Sequence, residues 1–261
     1  MAEGHSLACS PPPSVHAMFI SDCGLVLQVV RYDDASSVVH VFTRSHGHVA
    51  FMGTRPKNRR SPAAAGFALL RPLSVLSFQW DVKPHATLSR MKDVHDEVVW
   101  QSIPYEPVKS AVALLLGEFL CNSLREEGEN VPLFDFVVSS LRWYDAAPTA
   151  YANFHLVFLL ALTHHLGISP DGDTYLTGRF FDIESGTFVP SLPASPFVLT
   201  PPDATLLYRL LQSSYSDMDG VPMNRTDRSR MITYIGRFYS IHVPGFPELK
   251  SLAVLETLFK E

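Results

Sequence analysis

The chain has 261 residues, 46% of them apolar and 18% charged, and a formal net charge of −5. These proportions are those of a globular protein with enough apolar surface for a core, and the length suits two small domains or one large one. Three cysteines far apart in sequence, Cys9, Cys23 and Cys121, form no CxxC pair, which excludes a zinc ribbon, argues against a disulfide framework and fits a reducing, cytoplasmic setting.

The charge is divided unevenly. Residues 1–85 hold eight Lys and Arg against five Asp and Glu, a surplus of three; the remainder holds 13 against 21, a deficit of eight. Such a split predicts a basic amino-terminal unit that meets an anion, joined to an acidic body.

Residues 1–14 lack the basic start and apolar run of a signal peptide, and Ser10-Pro-Pro-Pro-Ser14 reads as a disordered lead-in. Val15 to Val30 contains the apolar runs AMFI and GLVLQVV. Val38 to Phe42 and Val49 to Met52 follow as short strands, with Gly47 at the turn of a hairpin because it tolerates positive φ. Leu69 to Trp80 reads as one or two more strands, and Thr87 to Trp100 carries a mixed pattern. Several short strands with turn signals predict a small antiparallel barrel, with no long helical period before residue 100.

From Ala35 to Trp80 there is no Asp or Glu, while the same window holds Arg44, Arg55, Lys57, Arg59, Arg60 and Arg71, helped by His40, His46 and His48. A patch of one sign concentrates a polyanion, and phosphate is the usual one. Tyr32 and Phe51 are the aromatic residues placed to stack on a base, although core packing is the commoner fate of such rings.

Ile103-Pro-Tyr-Glu-Pro107 stops the strands, and Pro107 suits the first turn of a helix over Val108–Glu127, closed by Gly128. Pro132 opens a second helix through Tyr144. Thr149 is placed to cap a third, Ala150–Leu166, with Gly167 after it. That third helix is apolar nearly all round, is too short to span a membrane, and reads as the centre of a helical body. Residues 168–200 break the helices with two short β-like runs. Thr200 then precedes a helix from Asp203 to Tyr215. Asn224 caps another through Ile241 with Asp227 at its third position, and Pro247 starts a last one over Glu248–Phe259. Arg225, Arg228, Arg230 and Arg237 fall on the Asn224-capped helix, where local ion pairs to Asp227 are the expected use.

The residues resemble the RecO DNA-repair and recombination-mediator family. The resemblance rests on Val29-Val-Arg-Tyr-Asp33, on Phe42-Thr-Arg with Gly47, on Gly53-Thr-Arg55 with Lys57, and on Leu70-x-Pro72-Leu73. It continues through Gln101-Ser-Ile-Pro-Tyr-Glu-Pro-Val-Lys109, Leu124-Arg-Glu-Glu127, Asn153-Phe-His-Leu156, Leu166-Gly167 and Pro247-Glu-Leu-Lys-Ser-Leu252. It spans about Gly24 to Phe259, and its weight lies in the order of the motifs. It implies an α+β chain: an OB-fold β-barrel over residues 15–100, then a helical domain over 101–261 with a small hairpin at about 168–200.

The implied function is binding of single- and double-stranded DNA, strand annealing, and help in loading the RecA recombinase on DNA coated by the single-stranded DNA-binding protein SSB, in the RecFOR pathway. The implied partners are DNA, RecR and the acidic SSB tail. The resemblance implies no catalytic residue, cofactor or membrane, and a cytoplasmic protein that joins the nucleoid during repair. DNA contacts are expected at Arg44, Arg55, Lys57, Arg59, Arg60 and Arg71, and anchors for the SSB tail at Arg142, Arg237 or Lys250.

Two departures stand out. Many family members hold a four-cysteine zinc site after the third helix, but GISPDGDTYLTGRFFDIESGTFVP has no cysteine, so Phe180, Phe181 and Phe188 are expected to pack in its place. Met52 stands where Lys or Arg is frequent, which weakens the expected DNA surface. The rival classes are a protein-only scaffold and a metal-dependent hydrolase using His46 and His48, or His164 and His165 near Asp171 and Asp173. No HExxH, GxSxG or Walker loop supports the latter.

Overall fold

In a computed structural model, residues 19–54, 56, 58, 60–81, 88–125, 127–247 and 249 are described. Five antiparallel strands come first: β1 Phe19–Arg31, β2 Ser36–Thr43, β3 Gly47–Thr54, β4 Val75–Asp81 and β5 Met91–Val98. They form one sheet in the order β3-β2-β1-β4-β5. The two edges of that sheet meet. Met52 N–H donates to the Ser89 carbonyl at 2.8 Å and Ser89 N–H to the Ala50 carbonyl at 3.2 Å, a parallel bridge between β3 and the residue leading into β5. With α1 (Pro62–Leu69) between β3 and β4, this is the OB-fold order of elements.

Both faces of the sheet are covered, which explains the unbroken apolar run in β1. Val26, Val39, Val41, Phe51, Leu76, Phe78 and Trp80 fill the barrel. Leu25, Leu27, Phe42, Leu73 and Val75 point the other way and join the core of the helical part. Strands buried on two sides lose the alternation that marks a half-exposed one. β5 carries one extra residue between His95 and Lys92 relative to Gln79 and Ser77 of β4, and Asp93 sits there with φ +49°. The bulge turns Val94 inward against the barrel core and keeps the neighbouring carboxylate out of it.

α1 carries no helical period in its sequence. Ser61 caps it, accepting from Ala64 N–H at 3.3 Å, but PAAAGFAL has no polar face to set such a period. The helical part holds α2 Pro107–Ser123, α3 Val131–Ala146, α4 Phe154–His165, α5 Pro201–Leu211 and α6 Arg225–His242. α2 stops at Ser123, short of Gly128. Asn153, not Thr149, occupies the N-cap position of α4. α5 begins at Pro201 and ends at Leu211, and Thr200 makes no side-chain cap to its backbone. α6 starts as expected, with a full Asn224–Asp227 capping box. The expected lead-in at Ser10–Ser14 and the last helix over Glu248–Phe259 lie outside the described residues.

Between α4 and α5, β6 Phe180–Asp182 pairs with β7 Thr187–Val189 and with β8 Val198–Leu199. Phe181 and Phe188 are buried with ring centroids 4.8 Å apart, and Tyr175 meets Phe188 edge-on at 5.2 Å; Phe180 is only half-buried. This hairpin offers no cysteine donors, so it does not fit the four-cysteine zinc site that the resemblance implies there; packed aromatics supply its core instead.

The two parts are clasped at their junction. Lys109 is 1% exposed. Its ammonium donates to Ser102 Oγ at 2.7 Å, to the Ala147 carbonyl at 2.7 Å and to the Asp145 carbonyl at 3.2 Å, and faces the Tyr151 ring at 4.9 Å. The Asp145 carboxylate accepts from the backbone N–H groups of Gln101, Ser102 and Ile103 at 2.7–2.8 Å. Burial pushes the Asp145 carboxyl up, but those N–H groups outweigh it and hold its pKa below the usual range. Farther along, Gly47 turns β2 into β3 at φ +69°, and a Cβ there would lie 2.2 Å from the Gly128 carbonyl oxygen.

Removing the buried cation strands the groups it serves. Lys109→Met is expected to cost about 3 kcal/mol, since truncating one side of a buried charged network leaves the other uncompensated. Gly47→Ala combines positive φ with a backbone clash and is expected to cost about 2 kcal/mol or more. Urea unfolding of both variants checks this; midpoints equal to wild type would show that neither the clasp nor the turn holds the fold.

Candidate nucleic-acid interface

The hairpin tip and the end of β3 come together on one side of the barrel. Tyr32 N–H donates to the Ser36 carbonyl, and Ser36 lies across from Thr54, the last residue of β3. Tyr32 is 71% exposed, so this ring is free to act as a platform. Phe51 is fully buried between Phe78 and Trp80 and is a core residue. Asp33 and Asp34 share the Tyr32 tip, where Arg31 pairs with Asp34.

The cations of the acid-free window have different fates. Arg55, Lys57 and Arg59 lie outside the described residues, as does Lys250. Arg60 is exposed just before α1. Arg44 makes a two-pronged ion pair with Asp135 of α3, Nε to Oδ1 at 3.0 Å and Nη2 to Oδ2 at 2.9 Å, so it ties the barrel to the helices. Arg71, past the end of α1, rims a cavity of about 310 Å³ at the junction, beside Trp100, Tyr105 and Leu114. Arg44 thus has an acidic partner on α3, and Arg71 stands at the junction with the helices.

The histidines do not form one charged group. His40 Nδ1 and His48 Nε2 are 3.1 Å apart in stacked rings. Burial holds His48 down to about 4, with His40 and Arg125 adding, and burial with Arg125 lowers His40. Both are neutral at pH 7, so they add nothing to the positive patch. His46 turns away to Asp22, Nδ1 to Oδ2 at 3.1 Å, and meets Trp80 edge-on. His46 and His48 therefore share no ion between them. Among the described residues no group of three or more His, Cys, Asp or Glu is arranged to hold a metal. His165 stacks on Phe136 at 4.3 Å.

On the helical side, Arg230 pairs with Asp227 at 3.0 Å as expected, and also with buried Asp203 of α5 at 2.7 Å, which the sequence does not reveal. Arg228 donates to the Met223 carbonyl. Arg142 is exposed on α3. Arg237 is exposed on α6, with its guanidinium 3.6 Å from the centre of the Phe197 ring. No helix among the described residues is long and apolar enough to cross a membrane.

Two family models match in tandem: residues 18–96 match "Recombination protein O N terminal" and residues 104–253 match "Recombination protein O C terminal". The DNA repair protein RecO of Bacteroides fragilis is 40% identical over 239 residues, covering 90% of this chain and 97% of the relative. Its counterpart in Phocaeicola vulgatus is 38% identical over 236 residues with the same coverage. That of Porphyromonas gingivalis is 32% identical over 245 residues, 93% of this chain and all of the relative.

The histidine pair makes a pH prediction. His48 titrates lower in the folded chain, about 4, than unfolded, about 6.5. Its contribution is therefore complete above about pH 6.5 and is lost as pH falls toward 4. His48→Gln is expected to flatten the fall in urea midpoint between pH 7 and 4.5. An unaltered pH dependence would show that His48 is not held neutral by the fold.

Proposed function

The chain belongs to the RecO family and serves DNA repair and recombination, and from that premise we propose that its barrel grips DNA while its helices engage other repair proteins. The observation that carries the reading is the end of β3. There the chain passes from the barrel into the acid-free stretch with Arg55, Lys57, Arg59 and Arg60, beside the exposed Tyr32 ring. Cations tracking phosphates and a flat ring beneath a base are the two requirements for holding a single strand. The units divide at about residue 100.

In this reading the protein acts by binding, as a mediator without catalysis. It anneals complementary strands and, with RecR, opens SSB-coated DNA to RecA, in the cytoplasm at the nucleoid. Both single and double strands meet the barrel through phosphate contacts. The acidic tail of SSB docks on the helical part, and the exposed guanidiniums of Arg142 and Arg237 are its candidate anchors. Arg237, already against an aromatic face, offers charge and apolar surface together. Lys250 completes the set by sequence alone.

The deciding experiment is annealing of complementary oligonucleotides pre-coated with the cognate SSB. Wild type is expected to accelerate it. Reversing Arg55, Lys57 and Arg60 to Glu is expected to slow it and to flatten the salt dependence of single-strand binding by about 0.7 for each phosphate no longer neutralised. Tyr32→Ala is expected to weaken single-strand binding by about 1–3 kcal/mol with no change in salt slope. Annealing, affinity and slope all unchanged would overturn the reading. Anisotropy with a labelled tail peptide on Arg142→Ala and Arg237→Ala separates the two anchors.

A further inference from the structure

A second groove lies on the barrel, apart from the helical part. It encloses about 740 Å³ between the end of β3, α1 and β5. Thr54, the residue from which the basic stretch departs, lines one end. Its floor is apolar and polarisable: Met52 from β3, Phe67 and Leu70 from α1 and its cap, Met91 from β5. Its far wall carries Arg90 and Lys92, both exposed and without an ion-pair partner among the described residues; Lys92 rests its ammonium 4.0 Å from the Phe19 ring. Asp93 and His95 stand on the same wall.

We infer that this groove is a path for a single DNA strand, with phosphates on Arg90 and Lys92 and bases laid on Phe67 and the two methionines. The inference rests on the DNA reading above and deepens it by naming a strand form and a route. Three features favour this occupant. The wall carries two cations, Arg90 and Lys92, against one carboxylate, Asp93, and the residues that β3 and α1 give to the groove include no acid. The floor presents π and sulfur surface, which accepts the face of any base without reading its edges. A duplex hides those faces in its own stack, so only an unpaired strand gains from the floor.

Gly66 supplies the means of testing. It lines the groove within α1, and a Cβ added there meets nothing within 4 Å. A large side chain at this position fills the groove rather than the core, and replacing a mid-helix glycine favours the helix. Binding of full-length protein to a labelled oligo-dT and to a labelled duplex hairpin is measured by anisotropy across a salt series. Gly66→Phe is expected to keep its melting temperature and to bind oligo-dT roughly tenfold more weakly, with duplex affinity within about twofold of wild type. Arg90→Glu with Lys92→Glu is expected to reduce the oligo-dT salt slope by about 1.4, the share of two single-strand phosphates. Oligo-dT binding by both variants equal to wild type would overturn the groove while leaving the DNA reading in place. Wild type that binds no oligo-dT at all would overturn both.

Discussion

The structure depends on a buried cation at the seam between barrel and helices. Lys109 has all but left water, and that is tolerable because hydroxyl, carbonyl and aromatic partners, with the Glu106 carboxylate at 3.6 Å, replace its hydration. Its neighbour Asp145 draws in three consecutive backbone N–H groups of the connecting segment. A connection of this kind fixes direction as well as position, because N–H vectors constrain the peptide planes that carry them. The chain leaving β5 therefore enters α2 at one angle. The faces then close: Leu25, Leu27 and Phe42 of the sheet join the helical core, and the Gly47 turn lies against the Gly128 carbonyl.

That seam decides which charges remain for a ligand. Arg44 is given to Asp135, and burial with the nearby Arg125 holds His40 and His48 below the usual histidine range. Among the described barrel residues, Arg60, Arg71, Arg90 and Lys92 remain exposed, with Arg71 at the junction itself.

Much of this is legible in the chain and some is not, for identifiable reasons. Gly47, Pro107, the Asn224–Asp227 box and Gly167 are local signals: each acts on its own backbone within a few residues, so sequence reveals them. α1 escapes sequence reasoning because an apolar segment covering a barrel end has no outward face to break its pattern. Gly128 reads as a helix stop, yet α2 has already ended at Ser123 and a Cβ at Gly128 would meet nothing; it is Gly47 that must be glycine where the two backbones meet, and no spacing in the sequence links the two positions. Arg44–Asp135 joins residues 91 positions apart, and Arg230–Asp203 joins residues 27 apart. No spacing rule reaches such pairs, so cationic residues counted together in sequence separate in space. Tyr32 and Phe51 make the same point for aromatics: equal in pattern, one lies at a tip and the other in the barrel core.

The hairpin between α4 and α5 shows what the helical part requires. With no metal donors, a three-stranded sheet of two- and three-residue strands must be held by its own packing. Phe181, Phe188, Tyr175 and Tyr208 supply that packing, the last two stacked at 3.9 Å, and the cluster is anchored to α5 through Tyr208. Asp203 of the same helix is locked to Arg230 of α6, so hairpin, α5 and α6 form one unit. Aromatic packing tolerates reducing and metal-poor conditions equally, whereas a thiolate site depends on both metal and redox state. The helical surface carrying Arg237 is in this way held by contacts that neither condition alters.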